Sequence, residues 1–295
     1  MSNVNDSSTI AQCLAQSASL AAVSDTARLD VEVLLAHALG KNRTYLYTWP
    51  ETLLSQQEVV QFQHDLLRRQ QGEPIAYIVG EKDFWSLTLF VNASTLIPRP
   101  ETELLVEVAL ELLNDNDGAT VVDVGTGTGA IALALASEKP RWTITAIDNQ
   151  VEACTLAERN RQRYQLANVS IRHGSWLIPI QGNKVDLIVS NPPYIDIDDG
   201  HLACGDVRFE PRSALVADEH GLADIQQIIQ QSTAILLPKG WLLFEHGYQQ
   251  GEAVQELLQA SHFRDCFTRY DVAGQPRVTG GQWLGPVGVP SDATA

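Results

Sequence analysis

The tetrapeptide Asn191-Pro192-Pro193-Tyr194 follows Ser190 and the apolar run 185–189 directly. The run reads as a strand, and the tetrapeptide as the rigid loop at its end. Proline has no N–H and a fixed φ, so Pro192 and Pro193 cannot continue a ladder, and carbonyls near them stay free to accept hydrogen bonds from another molecule. Asn191 adds a side-chain carbonyl and Tyr194 an aromatic face. Such a cluster can hold a planar NH2 group by both hydrogens while a ring packs beside it. The same residues also suit an ordinary strand-to-loop stop, because Asn-Pro commonly starts turns. Taken alone, the tetrapeptide leaves both open.

A second stretch lies upstream. Residues 119–124 form an apolar strand pattern containing Asp123, followed by Gly125-Thr126-Gly127-Thr128-Gly129 and then by the helix former 130–136. Strand, glycine loop and helix make a cradle in which backbone approaches a ligand and unpaired helix N–H groups face it. Asp148 closes the next apolar run, 142–147, nineteen residues beyond Gly129. At that spacing an acid at the end of the second strand meets a ribose diol. A dinucleotide fingerprint needs its third glycine three positions after the second, whereas Gly127 and Gly129 are two apart. This favours S-adenosylmethionine. Asp123 agrees, since a carboxylate there suits a cationic methionine end and would repel a pyrophosphate.

Around these residues the pattern alternates as in α/β folds with a parallel sheet. A helix is expected over 151–164 and a strand over 169–172. The loop 173–176 after that strand should lie beside the cofactor's base, where Trp176 either stacks on it or is a half-buried packing residue. The long connection 195–215 has the length of a lid, and its carboxylates fit no metal template and read as a solvated acidic loop. A helix over 222–236, a strand over 241–245, a helix over 251–261 and strands over 263–270 and 277–283 complete the domain. Upstream, helical spacing over 8–22, 25–39 (Ser24 as N-cap, Gly40 as stop) and 55–71 predicts a small bundle. The β-rich stretch from Tyr77 reads as a hairpin leading into 96–103, either a proline-punctuated linker or a wall of the site. The expected domains are a bundle over 1–75 for substrate or partner recognition, a hairpin linker over 76–100, a catalytic domain over 101–284 and a disordered tail over 285–295.

The net charge is −16, from 36 acidic and 20 basic residues. An acidic surface repels phosphate backbones, so nucleic acid is not expected as a direct partner. Cys13, Cys154, Cys204 and Cys266 share no Cys-x-x-Cys spacing, which points to reduced thiols without zinc or disulfides. No apolar run reaches the roughly 18 residues of a membrane span, and the N-terminus lacks signal-peptide features. The expectation is a cytoplasmic protein that holds no metal.

With these motifs in place, the sequence resembles the protein-(glutamine-N5) methyltransferases of peptide-chain release factors, the PrmC/HemK family. The resemblance rests on Ile97-Pro98-Arg99-Pro100-Glu101-Thr102-Glu103, the run from Asp123 to Gly129, Asn191-Pro192-Pro193-Tyr194 and Arg208-Phe209-Glu210-Pro211. Asn-Pro-Pro-Tyr by itself is shared with amino-methylating enzymes of DNA, so the combination carries the specificity. The resemblance implies a class I, Rossmann-like methyltransferase with a mostly parallel seven-stranded sheet and a small N-terminal helical bundle joined by a β-hairpin. It implies S-adenosylmethionine held by Gly125, Thr126, Gly127, Thr128, Gly129, Asp148, Trp176 and Asn191. It also implies that Asn191, Pro192, Pro193 and Tyr194 hold the glutamine of a Gly-Gly-Gln tripeptide in class 1 release factors, with Asn191, Pro192 and Tyr194 at the chemistry. Ser175 departs from the family, whose members commonly carry an acid before the tryptophan.

Two other functions compete: an adenine amino-methyltransferase of nucleic acid, which needs a basic groove and base extrusion, and a non-catalytic cofactor-binding scaffold. A monomer is expected. Gly280-Gly281-Gln282 reproduces the substrate tripeptide within an expected terminal strand.

Overall fold

A computed structural model describes residues 8–203 and 205–286, and for His201 the backbone alone. Most of the tail expected over 285–295, and Cys204, lie outside the described residues. The described residues divide into two compact units, 8–81 with 200–209, and 82–199 with 210–286.

The first unit is helical. Its longest helix, Gln56–Gln70, starts at Ser55, whose hydroxyl accepts the Glu58 N–H while the Glu58 carboxylate accepts the Ser55 N–H. Ala27–Leu39 ends at Gly40, in the left-handed conformation that terminates helices at glycine. Leu34, Leu35, Phe62 and Leu66 fill the space between the two helices. Three local expectations change. The 8–22 segment is α-helical only over Ile10–Leu14 and continues as a 3-10 helix, Ala15–Leu20. The N-cap is Thr26, because the Ser24 hydroxyl accepts the Thr26 N–H and so closes a turn ahead of the helix. Tyr77 lies in a helix, Ile75–Val79, so the β-structure begins later.

Segment 200–209 belongs to this unit through Arg69. This guanidinium is 5 % exposed and binds Asp30 at 2.7 Å and Asp206 at 2.9 Å. Arg208 adds a bond to the Gln71 carbonyl at 3.3 Å. Part of the expected solvated acidic loop is therefore fixed by charge-assisted contacts.

The hairpin, β1 (Glu81–Phe84) and β2 (Leu87–Phe90), turns at Trp85, whose φ is 56°, and from Lys82 onward belongs to the second unit. Its sheet contains β3 (Thr120–Val124), β4 (Thr143–Asp148), β5 (Val169–His173), β6 (Val185–Ser190), β7 (Leu236–Glu245), β8 (Arg264–Tyr270) and β9 (Pro276–Trp283). The order is β5-β4-β3-β6-β7-β9-β8, with the first five parallel and β9 antiparallel to both β7 and β8. β3 and β6 are near-continuous apolar runs because helices cover both faces of the sheet. The helix expected over 222–236 stops at Ser232, and β7 starts at Leu236. Leu236 pairs with Val185, and the register then jumps to Trp241 opposite Leu187, with Pro238 and Lys239 (φ 69°) in the interruption. Proline cannot donate to the ladder, so the strand breaks and resumes.

Among the described residues, no helix is long and apolar enough to cross a membrane.

Candidate active site

The chain leaves β3 for β4 and β5 on one side and returns to β6 on the other. The crevice at the carboxyl ends of β3 and β6 is therefore the switch point where α/β sheets bind ligands. Val124 pairs with Ser190, and the Ser190 hydroxyl donates to the Val124 carbonyl at 2.7 Å. The glycine loop and Asn191 thus start from adjacent strand ends.

Gly125, Gly127 and Gly129 have φ values of 74°, 56° and 86°, where a side chain is strained. A Cβ on Gly125 would meet open space, and one on Gly127 would meet only Thr95 at 3.9 Å. Both glycines thus leave room along the crevice for a ligand, which fits a nucleoside cofactor lying on their backbone. Gly129 opens the helix Ala130–Glu138, and a Cβ there would press on Leu133 at 3.1 Å. Asn160 braces the loop from behind, donating to the Thr128 carbonyl at 2.9 Å and pairing with both backbone groups of Phe90.

One cleft collects Gly125, Thr126, Gly127, Thr128, Asp148, Trp176, Asn191 and Pro193 on its wall. Asp123 does not reach it. Its carboxylate is fully buried, accepting from the Thr126 hydroxyl at 2.6 Å and the Ala132 N–H at 3.2 Å, with Oδ1 unpartnered. Burial pushes this carboxyl up to about 7. In the structure Asp123 ties the loop to the helix behind it. Gly129, Pro192 and Tyr194 also stand off the wall. Tyr194 is half-buried, and its hydroxyl is pushed up by desolvation and then by the charge of Glu245. Its backbone carbonyl accepts from Gln250 at 3.0 Å, which fixes the loop.

Asp148 is 9 % exposed, and its oxygens accept the N–H groups of Gly127 and Gln150, each at 2.9 Å. Burial raises its pKa, and these two N–H groups oppose the rise. Trp176 is half-buried in the left-handed region (φ 47°), with its indole N–H bonded to Gln227 at 3.0 Å. It lines the cleft and packs on the core. Ser175 is exposed and off the wall, whereas Asp224, one turn before Gln227, is on it. Asp224 was not visible as a site residue, since in sequence it is only an acid in a helix's first turn.

Three further residues surround Asn191 and the cleft: Thr102 and Glu210, which the sequence showed only within motifs and without a role, and Glu245, which it did not single out. Thr102 is buried and its hydroxyl accepts the Asn191 Nδ2–H at 3.2 Å. Glu210 is buried and paired with Arg99, while the Ile97 N–H donates to its other oxygen at 3.4 Å. This joins the motif at 97–103 to that at 208–211. Glu245, at the end of β7, is 1 % exposed. Among the described residues no group of three or more His, Cys, Asp or Glu side chains could hold a metal ion.

The sheet order, the glycine loop at its switch point and the acid ending β4 define a class I S-adenosylmethionine-dependent methyltransferase. Solved structures agree on the fold. A methyltransferase from Pyrococcus furiosus superposes with a TM-score of 0.51 at 17 % identity, covering 76 % of this chain and 98 % of that one. The hMettl16 catalytic domain gives 0.56 at 14 % identity over 79 % and 83 %. Residues 12–80 match the PrmC N-terminal domain, and 100–205 the methyltransferase small domain. The release factor glutamine methyltransferase of Pseudomonas aeruginosa is 56 % identical over 88 % of this chain and 94 % of its own length. That of Shewanella oneidensis is 49 % identical over 96 % and 99 %. The chain belongs to the release factor glutamine methyltransferase family.

Proposed function

We propose that this enzyme methylates the side-chain amide nitrogen of the glutamine in the Gly-Gly-Gln tripeptide of class 1 peptide-chain release factors. S-adenosylmethionine, its cofactor, supplies an electrophilic methyl group when bound. Gly125, Thr126, Gly127, Thr128, Asp148 and Trp176 are the residues that would hold it, with Asp123 and Gly129 shaping the loop from behind. The bond from Asn191 Nδ2 to Thr102 carries the substrate assignment. It turns the amide so that Oδ1, an acceptor, is left for the substrate.

An amide nitrogen is a weak nucleophile because its lone pair is delocalised, so the rate must come from holding it in place. Asn191 Oδ1 accepts one N–H of the glutamine amide and the Pro192 carbonyl accepts the other. Pro193 forms the adjacent wall, and Tyr194 holds the loop rigid. No general base is needed to place the nitrogen. The helical unit serves as the recognition module, and the protein acts as a cytoplasmic monomer without nucleic acid, in keeping with its charge of −16. Light scattering and filter binding across a salt titration check those two points.

The direct test is incubation with labelled S-adenosylmethionine and purified release factors. Label should enter the wild-type factor and not one whose Gly-Gly-Gln glutamine is replaced by alanine. Equal labelling of both would contradict the assignment.

A further inference from the structure

Glu245 ends β7 one residue beyond Phe244, which pairs with Ser190, so it sits beside Asn191 at neighbouring strand ends. It is 1 % exposed and its Oε2 has no hydrogen-bond partner. A buried carboxylate is costly, and one left half-satisfied beside a reaction centre calls for an explanation. Its other contacts supply one. The side chains of Thr102 and Asn191 both favour its ionised form. Asn191 Nδ2 also donates to Thr102 at 3.2 Å. The three groups form one cluster: one hydrogen of the Asn191 amide goes to Thr102, and Glu245 is the anion that both side chains stabilise. Oδ1 of Asn191 has no hydrogen-bond partner among the described residues.

Resting on the function proposed above, we infer that Glu245, with Thr102 as its relay, is a positioning residue that locks the Asn191 amide with its oxygen toward the substrate and so makes the site select an N–H donor. Without an anionic acceptor behind it, an asparagine amide has two orientations of similar size and opposite hydrogen-bonding sense. The flipped form would offer NH2 to the substrate amide, donor against donor. The carboxylate has no donor and admits only one orientation. Two further charges act on Glu245: Arg277 favours its ionised form and Glu101 opposes it. Tyr194 is the other titrating group in its field. Burial outweighs these and raises the carboxyl to about 7, so the lock is complete above that pH and loosens below it.

The test uses full-length protein, labelled S-adenosylmethionine and a purified release factor. Glu245→Gln keeps the shape but restores a donor opposite Asn191. It should lower kcat at least about tenfold while leaving the cofactor dissociation constant within about twofold, the split that marks a transition-state contribution. In wild type kcat should rise as pH passes about 7, and this limb should be absent in Glu245→Gln. Thr102→Val should reproduce the kcat loss and Thr102→Ser should restore it, which keeps the test decisive if the Glu245 variant does not fold. Wild-type kcat in Thr102→Val, or a folded Glu245→Gln with wild-type kcat and pH profile, would overturn the positioning role. Failure of the wild type itself to label any release factor would overturn the proposed function, and with it this inference.

Discussion

The Asp148 carboxylate accepts the Gly127 N–H at 2.9 Å, tying the acid at the end of β4 to the middle glycine of the loop after β3. The residue that would meet the cofactor ribose therefore also sets the loop on which the cofactor would lie. Asp148→Ala removes both effects. Calorimetry should show S-adenosylmethionine binding weakened by roughly 1.5 to 3 kcal/mol, the range for hydrogen bonds to a charged group. Unchanged affinity would mean that the ligand lies elsewhere.

Asn191→Ala removes the acceptor oxygen and leaves the glycine loop intact. Turnover should fall on the order of 10²-fold or more while cofactor affinity changes little, because the lost contact orients the reacting nitrogen. A kcat within about threefold of wild type would refute the amide clamp, since a tenfold step is only about 1.4 kcal/mol.

Asp123 gives a pH prediction. Its carboxyl is raised from 3.8 to about 7 by burial, so the folded protein holds this proton more tightly than the unfolded chain does. Stability from this group is full below the unfolded value and is lost as pH rises through about 7. Asp123→Asn, which cannot ionise, should raise the melting temperature relative to wild type more at pH 8 than at pH 5. An equal difference at both pH values would show that the group does not titrate in this window.

Gly280-Gly281-Gln282 should not be a substrate. Gly280 pairs with Leu243 on one side and Phe267 on the other, and Gln282 donates to the Lys239 carbonyl at 3.0 Å. The glycines have a packing reason: a Cβ on Gly280 would run into Leu243, and one on Gly281 would press on Cys266 and Phe263 at 3.1 Å. Threading this segment into a site would require unfolding two strand pairings. Peptide mass spectrometry after prolonged incubation with cofactor should find Gln282 unmodified, and a methyl group there would contradict this.

The contrast between Asp148 and Asp123 shows what the sequence could reveal. Residue type and spacing located the loop, the acid after it and Asn191, because each follows an apolar strand whose end the pattern marks. Which carboxylate faces the cleft depends on the twist of β3 and on the first turn of the helix behind it, and neither is encoded in spacing. The roles of Thr102 and Glu245 were missed for a related reason. They lie 89 residues before and 54 after Asn191: Thr102 meets it from the 3-10 turn Pro100–Thr102, and Glu245 through the pairing of β6 with β7. Ser232 shows the local limit, since Ile235 and Leu236 continue a helical pattern that pairing with Val185 overrides. Segment 200–209 looked like a solvated loop because Arg69, its buried partner, lies 137 residues away from Asp206.

The central claim is tested most directly by locating the transferred methyl group. A release factor incubated with this enzyme and S-adenosylmethionine should be digested and sequenced by tandem mass spectrometry. A single added methyl on the side-chain nitrogen of the Gly-Gly-Gln glutamine, absent when Asn191→Ala replaces the wild type, is the predicted result. A methyl on any other residue, or on that glutamine at the wild-type rate with Asn191→Ala, would contradict it.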